Sequence, residues 1–199
     1  MEFSPYPKTP RLKRDIVITE KIDGTNAQVV IKDVHVGDFP PNVIDYLSLD
    51  GGVCRVLLAG SRSRWITPGK ETDNYGFAAW CRDNSEELFK LGEGQHFGEW
   101  YGQGIQRNYG LDHRRFALFN TARWGIHNPN TPACCEVVPV LATCSMDQID
   151  TVLWGLQMNG SKAVPGFMNP EGVIAYHSAS KQNFKVLLEN DHLPKGEAA

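Results

Sequence analysis

The chain has 199 residues, 41% of them hydrophobic and 22% charged, which is the makeup of a globular protein long enough to bury a core. Its 20 lysines and arginines against 23 acidic residues leave a formal charge of −3, which excludes a protein that coats nucleic acid through bulk positive charge. No apolar run approaches the roughly 20 residues of a membrane helix, and the basic start (Lys8, Arg11, Lys13, Arg14) leads into no signal-peptide core, so the expected location is the cytoplasm, a host's if the protein is viral.

In chain order, Ile16 to Glu20 and Thr25 to Lys32 read as two β-branched strands joined as a hairpin by the Asp23-Gly24 turn. Pro40-Pro41 and Gly51-Gly52 mark loops around a short ambiguous segment, and Cys54 to Ser61 reads as a third strand. Tyr75 to Leu91 is a helix candidate, with Phe77, Trp80, Cys81, Leu88 and Leu91 roughly on one face. Strands follow over His96 to Tyr101 and Arg115 to Thr121. Ser145 and Gln148 form a capping box for a helix running to about Asn159-Gly160, with a stripe of Met146, Ile149, Val152, Leu153 and Leu156. Gly172 to Tyr176 and Asn183 to Leu188 close the pattern as strands, before a polar tail. Strands dominate, so the fold class is α+β with largely antiparallel sheets.

The five cysteines, at 54, 81, 134, 135 and 144, include no C-x-x-C pair, so neither a zinc site nor a thioredoxin motif is indicated. The vicinal Cys134-Cys135 is a candidate redox pair, weighed against the commoner buried thiols.

Chemistry concentrates in Thr19-Glu20-Lys21-Ile22-Asp23-Gly24-Thr25-Asn26. A lysine between a strand end and a tight Asp-Gly turn is held in one direction at a site mouth. An amine nucleophile must be unprotonated, and an ordinary lysine is only about 0.04% neutral at pH 7, so a catalytic one needs neighbouring cations, a metal or desolvation. On this segment alone, an exposed lysine at a hairpin turn is an equally good reading.

The whole chain resembles the ATP-dependent RNA ligases of the covalent nucleotidyltransferase superfamily. Glu20 to Asn26 is similar to their first motif. Phe97-Gly98-Glu99-Trp100-Tyr101-Gly102, continuing through Gly104-Ile105-Gln106-Arg107-Asn108, resembles the third, above all in the second RNA ligase of T-even phages and in the RNA-editing ligases. Arg115 to Phe119, Glu171-Gly172-Val173-Ile174 and Phe184-Lys185-Val186 are similar to the next three, in family order.

The resemblance implies an adenylation domain of antiparallel sheets flanked by helices, with the nucleotide in a cleft between them, and one domain over 1–199 without a C-terminal OB or other accessory domain. It implies that Lys21 takes up AMP from ATP, passes it to a 5′-phosphate end of RNA and lets a 3′-hydroxyl displace it. Glu20 would lie against adenine, Asn26 and Arg62 at phosphate or the reacting ends, Glu99 on the ribose and Phe119 on the base. Glu171 would serve Mg2+ or Mn2+, and Lys185 the α-phosphate. Without the resemblance, Phe119 reads as core, and a solvated edge is the alternative to phosphate contacts for Arg62 with Arg64.

Three features depart from the family pattern. The second lysine of the last motif is missing, with Lys181 a candidate substitute; a further lysine is replaced by Tyr176; and the chain ends soon after Lys185, so a partner protein would supply any accessory domain. Lys8, Arg11, Lys13, Arg14, Arg107, Arg114 and Arg115 are candidate contacts for the polynucleotide. A DNA nick-sealing ligase, a GTP-using capping enzyme and a non-catalytic nucleic-acid-binding relic are the competing functions. Asn26 and the extension after Gly102 favour RNA.

Overall fold

The computed structural model describes residues 2–125 and 128–192. The expected polar tail beyond residue 192 lies outside them. The chain divides into two compact units. A split unit is built from both ends of the sequence, Met1–Lys21 and Pro139–Ala199, and an inserted unit is the continuous stretch Ile22–Val138.

The split unit holds a four-stranded antiparallel sheet. Its strands are β1 (Ile16–Lys21), β9 (Val140–Cys144), β10 (Gly172–His177) and β11 (Gln182–Leu187), in the order β11-β10-β1-β9. Alternation in β1 buries Ile16, Ile18 and Glu20 and leaves Val17, Thr19 and Lys21 on the other face. The buried face, with Val173 and Ala175 of β10, packs against helix α3 (Ile149–Asn159), chiefly through Leu156. Ser145 makes no side-chain capping bond, and the expected first turn (Met146–Gln148) is a 3-10 turn instead. Met146, expected in the stripe, is exposed.

The inserted unit holds a seven-stranded sheet. Six strands run β3 (Asp45–Ser48), β4 (Val53–Ser61), β2 (Thr25–His35), β6 (Gly94–Gly102), β7 (Arg114–Leu118) and β8 (Cys135–Val137), and β5 (Trp65–Ile66) pairs with β4. All of its pairings are antiparallel except β7 with β8. The expected hairpin of the first two strands does not form. β1 pairs with β9 and β10, whereas β2 pairs with β4 and β6.

The expected helix over 75–91 is broken into α1 (Phe77–Asp83), α2 (Ser85–Leu88) and a 3-10 turn (Phe89–Leu91). The break falls at Asn84, whose backbone leaves helical geometry and whose side-chain amide donates to the Trp80 carbonyl at 2.9 Å. At the other end the Asp73 carboxylate accepts from the amides of Ala78 and Ala79, at 2.8 and 3.0 Å, satisfying first-turn donors. The expected apolar face is real: Phe77, Cys81, Leu88 and Leu91 are buried. Phe77 and Trp80 meet Trp100 and Phe116 in an aromatic cluster with ring centroids 5.0 to 5.8 Å apart.

Candidate functional site

Lys21 is the last residue of β1 and stands opposite Gly172, the first residue of β10. That register brings its ammonium against the carboxylate of Glu171, with which it forms an ion pair and a hydrogen bond. Both side chains are about one-fifth exposed, at 24% and 18%, so the pair is open to a ligand from one side. Gly172 is required by β11: a Cβ there would lie 2.3 Å from the Val186 carbonyl oxygen. This explains why a glycine follows Glu171.

Direct cross-strand partners share a sheet face, and so do residues two apart. Lys185 stands opposite Ile174, and Ile174 opposite Thr19, so Lys185 lies on the Lys21 face, two residues along. Tyr176 lies on this face too, next to Asn183. Lys181 sits in the turn joining β10 to β11, six residues from the row that contains Lys21, or about 20 Å along the strands. The sheet therefore brings Lys185, and not Lys181, towards the nucleophile.

Glu20 faces the opposite way. It is 1% exposed, and its carboxylate accepts from the Ser161 hydroxyl at 2.5 Å and from the amides of Lys162 and Ala163 at 2.7 and 2.9 Å. Glu20, expected against adenine, thus spends its carboxylate on three donors of the chain itself. Its acceptors hold the loop after α3, and that loop lines a groove of about 520 Å³ with Leu141, Val152 and Leu156. Sequence reasoning missed Ser161, which carries no motif.

In the inserted unit, Asn26 on β2 stands opposite Glu99 on β6. Gln28 and Phe97 form the next pair on the same face, and the Phe119 amide donates to the Phe97 carbonyl at 2.9 Å. The sheet thus gathers Asn26, Glu99, Phe97 and Phe119 on the face away from its core. Phe116 is fully buried, while Phe119 is 39% exposed and lies just past the end of β7. Gly98 faces the core, where a Cβ would lie 2.5 Å from the Phe116 ring. Arg62 follows the last residue of β4 and is exposed. Its neighbour Arg64 is occupied, donating to the carbonyls of Thr72 and Asp73 at 2.9 and 3.2 Å.

The residues after Lys21 are fixed from within this unit. Arg107 donates to the Asp23 carboxylate at 3.1 Å, and the Asp23 amide donates to the Tyr109 hydroxyl at 2.8 Å. Gln106, Asn108 and Tyr109 all have left-handed backbones, a strain tolerated where surrounding contacts over-determine the loop. Gly24 leaves room for β6: a Cβ would lie 2.5 Å from the Trp100 carbonyl oxygen and 2.8 Å from the Tyr101 Cβ. Three candidate polynucleotide contacts therefore have other work. Arg107 holds Asp23, Arg114 holds the carbonyls of Gln103 and Tyr75, and Arg115 holds Glu136. Lys8, Arg11, Lys13 and Arg14 are exposed.

Tyr101 donates to Glu136 at 2.5 Å, and burial together with that carboxylate pushes its phenol well above the usual range. Among the described residues no cluster of three His, Cys, Asp or Glu side chains could hold a metal, and no helix is long and apolar enough to cross a membrane.

Largely antiparallel sheets with few helices, α+β in class, match the nucleotidyltransferase fold of RNA ligases. The chain belongs to the RNA ligase family, whose model matches residues 14–187. Among solved structures it is similar to a Naegleria gruberi RNA ligase variant with ATP and Mn, at 18% identity and a TM-score of 0.53, over 87% of this chain and 48% of that one. A second variant of that ligase, with AMP and Mn, matches at 18% identity and a TM-score of 0.53, over 87% and 49%. The same organism's ligase with PPi matches at 19% identity and a TM-score of 0.52, over 87% and 49%. The chain spans about half the length of these structures, and at such identities the likeness speaks for the fold alone. No curated protein matches.

Proposed function

We propose that the chain is the nucleotidyltransferase module of an ATP-dependent RNA ligase, with Lys21 as the residue that takes up AMP. The observation that carries this reading is the bond between the Lys21 ammonium and Glu171, two motif residues 150 positions apart. The solved relatives with ATP, AMP, PPi and Mn supply the chemistry by analogy.

In the first step the Lys21 nitrogen attacks the α-phosphorus of ATP as a P–N bond forms and the bond to the β-phosphate oxygen breaks, releasing pyrophosphate. The nitrogen must shed its proton, and Glu171 already accepts from it. Splitting the condensation through a phosphoramidate is the logic of covalent catalysis. AMP then passes to an RNA 5′-phosphate, and a 3′-hydroxyl attacks that phosphate and frees AMP. Lys185 offsets charge growing on the α-phosphate. Asn26 and Arg62 meet phosphate or the reacting ends, Glu99 the ribose and Phe119 the base. Glu20 serves the adenine end of the nucleotide, through the 161–163 loop that it organises.

One carboxylate, with no acidic cluster among the described residues, fits a magnesium or manganese ion held mostly by water and phosphate oxygens, with Glu171 as its protein contact. Such an ion would supply Lewis-acid stabilisation of the phosphates.

The test is an intact-mass spectrum after incubation with ATP and magnesium, beside Lys21→Ala. An added AMP in the wild type and none in the variant is the expected result. Absence of the adduct from a folded wild type, not already adenylated as purified, with ATP or GTP and with either metal, overturns the reading. Nicked RNA and nicked DNA then separate the two ligase classes.

A further inference from the structure

Cys134 and Cys135 lie in the inserted unit, at the start of β8, half-buried against its core. Their sulfurs are 3.9 Å apart and share a hydrogen bond. The bond to Cys135 pulls the Cys134 thiol down, against partial burial and Glu87, with help from Lys90. The bond to Cys134 and burial push Cys135 up. Cys81, the other thiol nearby, is fully buried and pushed well up by that burial. One sulfur is therefore poised to attack while its neighbour keeps a proton.

The next residue leads to the proposed nucleophile. Glu136 accepts from the Tyr101 hydroxyl at 2.5 Å and from Arg115 at 3.1 Å. The Tyr101 ring meets the Tyr109 ring edge-on with centroids 5.4 Å apart. The Tyr109 hydroxyl accepts from the amide of Asp23, two residues after Lys21. The chain of contacts from the dithiol to the Asp23 turn is thus continuous within one unit.

We propose that Cys134-Cys135 is a reversible dithiol–disulfide site whose closure loosens the Asp23 turn. The oxidant is a low-molecular-weight disulfide. The Cys134 thiolate attacks one of its sulfurs and expels the first thiolate. Cys135 then gives up its proton and attacks Cys134 Sγ, expelling the second. Two protein thiols are oxidised and one disulfide is reduced to two thiols. Closure must bring the sulfurs from 3.9 Å to about 2.05 Å. Neighbouring Cα atoms are about 3.8 Å apart, below the roughly 4.4–6.8 Å usual for a disulfide, so the backbone at the head of β8 has to twist. That twist displaces Glu136 from Tyr101. Its consequence for adenylation rests on the proposed function; the disulfide and its effect on the turn do not.

The experiment treats the full chain with glutathione disulfide and maps peptides without reduction, while reading amide exchange over residues 22–24. The wild type should lose two hydrogens within the 134–135 peptide, reversibly with dithiothreitol. Exchange at Asp23 should rise by about tenfold or more. Cys135→Ser should keep a glutathione on Cys134 with exchange unchanged, and Cys134→Ser should form neither product at this pair. Free thiols at both positions in the treated wild type, a persistent mixed disulfide there, or closure without faster exchange at Asp23 overturns the proposal. AMP labelling, read in parallel, should fall on oxidation and return on reduction. If labelling is absent in both states, the ligase reading fails while the mass and exchange data still decide the dithiol.

Discussion

Glu20→Ala should unfold the split unit far more readily than its surface neighbours would. The side chain is 1% exposed and serves three donors, the Ser161 hydroxyl and the amides of Lys162 and Ala163. A buried donor that loses its partner costs about 1–3 kcal/mol, and about 1 kcal/mol more goes with the buried methylene. Because the loop can relax towards water, the total should be about 3–5 kcal/mol rather than the full sum. Glu20→Gln keeps one oxygen to accept from the two amides. Its carboxamide N–H can donate to Ser161 Oγ, which already accepts from the Val164 amide at 3.0 Å, so its cost should be about 1 kcal/mol. Urea unfolding read by circular dichroism, with a slope of about 2 kcal/mol per molar, turns these into midpoint shifts of about 1.5–2.5 M and 0.5 M. Glu20→Ala within about 0.5 kcal/mol of wild type, or Glu20→Gln as damaging as Glu20→Ala, would refute the reasoning.

Glu171→Gln should slow AMP loading by about 10²- to 10⁴-fold with the fold intact, because the amide cannot take the lysine's proton; quenched time courses of the adduct would reveal it, and a wild-type rate would remove Glu171 from proton transfer. Gly24→Ala pushes a methyl to 2.5 Å from the Trp100 carbonyl oxygen and should cost about 1–3 kcal/mol, visible in the same urea titration; an unmoved midpoint means that β6 yields without strain. His96 is buried against Trp124, and burial lowers its folded pKa, with Arg123 adding to the effect and the hydrogen bond to the Gly92 carbonyl opposing it. Protonation therefore favours the unfolded chain. The contribution is complete above the ordinary histidine value of about 6.5 and is lost as pH falls from there through the folded value. His96→Gln should flatten that part of the stability–pH curve, and an unchanged slope would assign the acid sensitivity elsewhere.

Seven strands were legible because alternation and β-branching are local: β1, β2, β4, β6, β7, β10 and β11 fall close to their expected bounds. What the residues do not carry locally is pairing. Asp23-Gly24 has the composition of a hairpin turn, yet Gly24 is needed for the close pass of β6, and the flanking strands enter different sheets. β8 and β9 escaped because they are short, only partly buried and set among prolines. The break at Asn84 interrupts an apolar periodicity that runs on through it. Within the candidate site, the motifs pointed to Lys21 and Glu171, which the sheet register then joins. Glu136, Tyr109 and Ser161 stayed hidden, since their partners stand 35, 86 and 141 positions away.

The division of the chain also sets an order of assembly. Residues 22–138 are continuous and carry both the larger sheet and the aromatic cluster, so a growing chain holds everything that unit needs once Val138 has emerged. β1 by then is long made and has no strand to pair with. Its partners are β9 and β10, and the carboxylate for Lys21 arrives at residue 171. Domains fold as units during synthesis, and distant pairings form late. A growing chain should therefore pass through a stage in which its middle is native while its nucleophile still waits for partner strands to be made.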